Sequence, residues 1–121
     1  MAKDDYFLVA CKILTYYYAC LQGDTVFSEA TLERLADRRD IPEQYWWYIL
    51  RNLTEEGYLS GIAFTKAWGN IFIPSDDLEN GQITPAGIAY LHDNSTMAKA
   101  KNLILSTASP AADLIRLVIG A

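Results

Sequence analysis

The sequence predicts an α+β fold, mostly helical, and three observations predict it. The first is the order of the periodicities: a helical pattern over 5–22, two more over about 29–38 and 41–56, then β-branched and aromatic runs around a turn, then helical patterns again. The second is a pair of junctions. Leu53-Thr54-Glu55-Glu56-Gly57-Tyr58-Leu59 reads as a helix end entering a strand, and Ile83-Thr84-Pro85-Ala86-Gly87 reads as a strand entering a capped helix. The third is composition: 121 residues, 51% apolar and 21% charged, which suits one globular domain with one core. Helix, short strand, helix, helix, hairpin, helix is the order of a winged helix, a helix-turn-helix followed by a β wing. The expected layout is a single domain over 1–121, with a winged-helix core at 5–83 and a C-terminal helical extension at 84–121.

In the first helix Tyr6, Ala10, Ile13, Leu14, Tyr17 and Leu21 recur at helical spacing, and Gly23 ends the run. Tyr16-Tyr17-Tyr18 circles that helix, so core packing plus a subunit contact is expected of it. Thr25-Val26-Phe27 is β-prone. Ser28 caps the second helix, with Phe27 and Leu32 at the spacing of a hydrophobic staple. Asp40 and Glu43 have capping-box spacing for the third helix, with Pro42 in its first turn. On a wheel of about 100° per residue, Trp46, Ile49, Leu50 and Leu53 share one face, and Gln44, Tyr48, Arg51, Asn52 and Glu55 the other.

Tyr58–Thr65 and Ile71–Ile73 read as the arms of a hairpin with Trp68-Gly69-Asn70 as its turn, and Gln82-Ile83 as a short third strand. Thr84 and Pro85 open the next helix, which turns Ile88 and Leu91 inward. Gly87 in its first turn fits a close approach to the wing backbone. A break follows at Asp93-Asn94-Ser95. Ser95 is expected to cap a helix over about 96–107, and Ser109-Pro110 one over about 110–119. That last helix carries Leu114, Ile115, Leu117, Val118 and Ile119, apolar nearly all round, and so needs covering by its own domain or by a dimer partner.

Four segments carry a family resemblance: Ile41-Pro42-Glu43-Gln44-Tyr45-Trp46; Glu55-Glu56-Gly57-Tyr58; Ile83-Thr84-Pro85-Ala86-Gly87-Ile88 with Tyr90-Leu91; and Asn94-Ser95 followed by Met97, Lys99, Ala100 and Lys101. In these the chain resembles the YjcQ family, small proteins of Gram-positive bacteria and their phages. The resemblance runs from about Asp5 to Lys101. It implies a winged-helix-like fold and a prophage context, and it implies no biochemical activity and no functional residues.

Several chemistries lack the residues they need. Cys11 and Cys20, nine residues apart, would sit about 13–14 Å apart along one helix, too far for a disulfide, and read as small buried residues. His92, the one histidine, falls near a helix end without a nucleophile–carboxylate pattern around it. Three scattered Cys and His residues do not make a zinc site, Asp76-Asp77-Leu78-Glu79 lacks the spacing of a calcium loop, and no phosphate-binding glycine motif occurs. No enzyme, cofactor or metal is therefore expected. Acids in place of a basic N-terminal region, and no apolar run of spanning length, point to a cytoplasmic chain that does not enter the membrane.

The function expected from the fold is a prophage-type, DNA-binding transcriptional regulator. Arg38 and Arg39 would meet phosphate, Gln44, Arg51 and Asn52 the base edges, and Lys66 the backbone from the wing. Charge opposes this. The chain has net charge −5, and residues 42–83, which should meet DNA, carry two basic and six acidic side chains, a net of −4. The alternative is a protein–protein interaction module that has lost its DNA surface, with Trp47, Tyr48 and Trp68 as partner contacts. A homodimer through the helical flanks is expected in either case.

Overall fold

Every other α-helix of the protein packs on the first, α1 (Asp5–Gln22). The computed structural model describes residues 5–67, 69 and 71–120. The reason for α1's central place is its sequence: Ala10, Cys11, Ile13, Leu14, Tyr16, Tyr17 and Ala19 are all buried, so apolar side chains leave it in nearly every direction. Leu21, expected inside, lies at the exposed last turn. The tyrosine triplet is accounted for within the chain. Tyr16 and Tyr17 are buried against Phe27, and Tyr18 meets His92 edge-on at 5.8 Å. Tyr17 also donates from its hydroxyl to the carbonyl of Leu78 at 2.8 Å, tying a distant turn to α1.

No strand forms at 25–27. Phe27 turns onto the α1 tyrosines, and the N–H of Ser28 bonds the Tyr16 hydroxyl at 2.9 Å, so this backbone has no ladder to join. Ser28 caps α2 (Glu29–Leu35) as expected, but α2 ends earlier than about 38. Asp37 adopts a left-handed conformation (φ 54), held by Lys12 of α1 at 3.3 Å, and a 3-10 turn covers Arg38–Asp40. The next helix, α3, is Glu43–Glu55, and its cap residue is Pro42 with no side-chain bond, so the Asp40–Glu43 capping box is not made. Its buried stripe is Trp46, Ile49, Leu50 and Leu53, the stripe read from the sequence.

The predicted first hairpin arm is broken in two. Gly61 (φ 86) lies so close to the carbonyl of Asn80 that a side chain there would collide with it. On one side of this kink β1 (Leu59–Ser60) pairs antiparallel with β4 (Gln82–Ile83). On the other, β2 (Phe64–Lys66) pairs antiparallel with β3 (Phe72–Pro74). The result is two separate two-stranded ladders, with the β2–β3 hairpin lying against α3.

Thr84 caps α4 (Pro85–Asp93), accepting from the Gly87 N–H at 3.0 Å and donating to the carbonyl of Gly57. The cap of α5 (Ser95–Leu105) is Asn94 rather than Ser95: its Oδ1 accepts from Thr96 and Met97 N–H at 2.9 and 3.1 Å. Ser109 caps α6 (Pro110–Val118). Helix α6 buries Ala111, Ala112 and Ile115 on α1 and α5, while Leu117 stays 67% exposed, so the helix is covered on one side only. One hydrophobic cluster joins residues from α1 through α6.

Candidate interaction surface

The side chains expected to touch DNA do not form one cationic face. Arg38 is half-buried. Its Nη1 donates to the carbonyl of Ile41 at 3.0 Å, and its guanidinium lies 5.4 Å from the Trp46 ring centre and 6.0 Å from that of Trp47. Its Nε is buried without a hydrogen-bond partner among the described residues, as is Nε1 of Trp46. Arg38 therefore closes the turn before α3 by stacking on indoles, a favourable use of a weakly hydrated cation.

Arg51, the one arginine of α3, is likewise engaged. Its guanidinium sits 4.1 Å from the ring centre of Phe72 on β3, and its Nε lies 3.9 Å from the carboxylate of Glu55 one turn on. Asn52 turns back on its own helix, its Nδ2 donating to the Tyr48 carbonyl at 2.8 Å. Arg39, Gln44 and Lys66 remain exposed, and so do the acids Glu43, Glu55, Asp76 and Asp77. A crevice of about 70 Å³ between α3 and the hairpin brings Gln44, Trp47, Tyr48 and Arg51 together with Ile71 and Phe72.

Of the residues expected to meet a protein partner, Trp47 is half-buried and edge-on to Trp46, and Tyr48 is 50% exposed. Trp68 lies outside the described residues. Other rings surround Tyr48. Tyr45 stacks beside it at 6.3 Å, Tyr6 of α1 meets it edge-on at 6.2 Å, and Phe7 meets Tyr6 at 5.1 Å. Burial, then the neighbouring Tyr90, Tyr48 and Glu56, push the Tyr6 hydroxyl up to about 12, so it stays a neutral donor at any physiological pH. Their sequence signal was the tyrosine count, eight in 121 residues, but residues from α1 and α3 share a surface only after the two helices have packed.

The two cysteines are free thiols. Cys11 is sealed in the core, and burial pushes its thiol up to about 11, which withdraws it as a nucleophile toward substrates in solution. His92 is exposed in the last turn of α4, where the helix dipole favours it. Among the described residues no group of three or more His, Cys, Asp or Glu side chains could hold a metal ion, and no helix is long and apolar enough to cross a membrane.

These features define a class: a small, mostly helical α+β protein with a hairpin laid on its third helix and aromatic rings on that helix's outer side. The family model described as YjcQ protein matches residues 11–106, and the chain belongs to the YjcQ family. Neither a curated protein nor a solved structure matches the chain.

Proposed function

We propose that this protein is a cytoplasmic, non-enzymatic winged-helix module that binds another protein through the outer side of α3 and the rings beside it. Support for the winged-helix assignment comes from the order of α1, α2, the 3-10 turn, α3 and the β2–β3 hairpin, and from the packing of that hairpin on α3. The missing strand at 25–27 and the split of the first hairpin arm depart from the usual plan.

One observation carries the protein-binding reading: Phe72 of the wing covers the guanidinium of Arg51 at 4.1 Å. The wing thereby withdraws α3's only arginine, in a segment of net charge −4, while Tyr48 stays half exposed. Phosphate contacts dominate DNA affinity and need free cations, whereas exposed aromatic rings favour protein interfaces. The test is a photo-crosslinking side chain in place of Tyr48, read in source cells beside a titration of labelled double-stranded DNA at low salt. Protein adducts and no DNA complex at micromolar protein are expected. A DNA complex weakened by Lys66→Glu overturns the reading.

The second reading, a prophage-type DNA-binding regulator, is favoured by Arg39, Gln44 and Lys66, which stay exposed. The same titration decides it. A homodimer through the flanking helices is favoured by the open Leu117 of α6, and Leu117→Glu would then halve the mass measured by light scattering.

A further inference from the structure

A groove of about 320 Å³ runs between the start of α1 and the length of α5, far in sequence from the α3 surface. Its apolar lining comes from Phe7 and Leu8 on one wall and Ala100 and Leu103 on the other, with Thr96 and Lys99 also lining it. Leu103 is 49% exposed, a large apolar side chain left open at the groove. The α5 wall from Thr96 to Leu103 covers two helical turns, about 10 Å at 1.5 Å per residue. Phe7 joins this groove to the rings already described, since it touches Tyr6 and Tyr6 touches Tyr48.

We propose that the groove seats an amphipathic helix of a partner protein whose apolar stripe is flanked by carboxylates. This deepens the protein-binding reading and rests on it. Both walls are helices, so they present no strand edge for an extended segment to pair with. An extended segment laid there would leave its own N–H and C=O groups unpaired, whereas a helix brings its backbone bonds with it and buries side chains at i, i+4 and i+7.

Charge sets the flanks of that helix. The chain is acidic overall, yet residues 94–112 contain no Asp or Glu, and α5 contributes Lys99 and Lys101. Lys101 is spent on the carbonyl of Leu91 at 2.7 Å, capping the end of α4. Lys99 is exposed and in no ion pair among the described residues. The groove therefore offers an apolar floor beside one unpaired cation and no anion along α5. Along the α5 wall a basic segment would meet Lys99 as a like charge, and an acidic one would gain an ion pair with it.

The experiment uses the whole chain and two fluorescein-labelled helical peptides with the same leucine stripe, one flanked by Glu and one by Lys, read by anisotropy at low salt. The Glu peptide is expected to bind at least about tenfold more tightly than the Lys peptide, and Lys99→Glu to reverse that order. Leu103→Glu should weaken the Glu peptide by about tenfold or more, in line with a lost apolar anchor. Both substituted positions are exposed, so folding is retained, and far-ultraviolet circular dichroism checks it. Amide shifts on adding the Glu peptide should fall on residues 7–8 and 96–103. Equal binding of the two peptides, no binding of either, or shifts confined to α3 would overturn the proposal. The protein-binding reading fails separately, if Tyr48 crosslinks only to DNA while the Glu peptide still occupies the groove.

Discussion

Gly87→Ala should destabilise the protein although it places a better helix former in a helix. In an exposed helix the exchange stabilises by about 0.5–1 kcal/mol. Here the added Cβ would lie 2.3 Å from the Tyr58 carbonyl oxygen and 2.8 Å from Cγ1 of Ile83, so the oxygen is about 1 Å short of ordinary contact, which begins at 3.4 Å. Neither neighbour moves freely. The Tyr58 carbonyl accepts from Thr84 N–H at 3.0 Å, and Ile83 is buried and paired with Leu59. Opening that gap pulls α4 off the β1–β4 ladder. Overpacking of this kind costs about 1–3 kcal/mol, and weakening the Thr84–Tyr58 bond adds about 1 kcal/mol. After subtracting the propensity gain, the net loss is about 1–3 kcal/mol, or roughly 4–12 °C in Tm at this chain length. Urea unfolding followed by circular dichroism measures it, with the exposed helical position Ala89→Gly as the control, which should lose about 1 kcal/mol from propensity alone. A Gly87→Ala variant as stable as the parent would refute the close approach of α4 to β1. The same contact gives the Ile83-Thr84-Pro85-Ala86-Gly87 motif a physical reason: Thr caps, Pro starts the helix, and Gly lets it lie on the strand backbone.

Asn94→Ala should cost about 1 kcal/mol and Ser95→Ala almost nothing, because Asn94 Oδ1 accepts both first-turn N–H groups; equal losses in urea unfolding would reverse the cap assignment. Arg38→Ala should lower stability by about 1–2 kcal/mol through lost indole stacking and the Ile41 bond; unchanged unfolding combined with a lost DNA complex would show that Arg38 serves phosphate instead. Stability should fall as pH rises above about 9, because the Cys11 thiol ionises near 9 when unfolded and only near 11 when folded. Its contribution is fully present below the unfolded value and is lost through the folded one. Urea midpoints measured across that window should decline less steeply in Cys11→Ala.

The parts of the fold legible in sequence were those set by local chemistry. The α3 stripe of Trp46, Ile49, Leu50 and Leu53 follows from helical period alone, and Ser28, Thr84 and Ser109 cap because each precedes a helix with extended backbone and a hydroxyl in reach. The errors lie where a distant group decides. Leu35-Ala36-Asp37-Arg38 has adequate helix propensity, yet Lys12 on α1 engages Asp37 and the chain turns there. The β-prone run over 58–65 passes straight through Gly61, and nothing local shows that the Asn80 carbonyl occupies the space beside it. Asn94 and Ser95 are both good caps, and where the backbone turns selects between them. The surface was least legible, because Arg51 and Phe72, 21 positions apart, meet only once the hairpin lies on α3.

That last contact changes how the charge of the segment 42–83 counts. Its two cations are Arg51 and Lys66, and with Arg51 under Phe72 and beside Glu55, Lys66 is the one that is exposed with no ring or carboxylate on it among the described residues. Arg39, next to the start of α3, is a second exposed cation on this side with no ion pair among the described residues, since Arg38 lies on the tryptophans. Two phosphate contacts predict that the logarithm of any DNA-binding constant falls with the logarithm of salt at a slope of about −2, against about −5 to −9 for a protein making six to ten. Fluorescence titration of a labelled duplex over a series of salt concentrations measures that slope. A value steeper than about −4 would mean that Arg38 and Arg51 leave their aromatic partners for the duplex, and the β2–β3 hairpin would then act as a cover that DNA displaces.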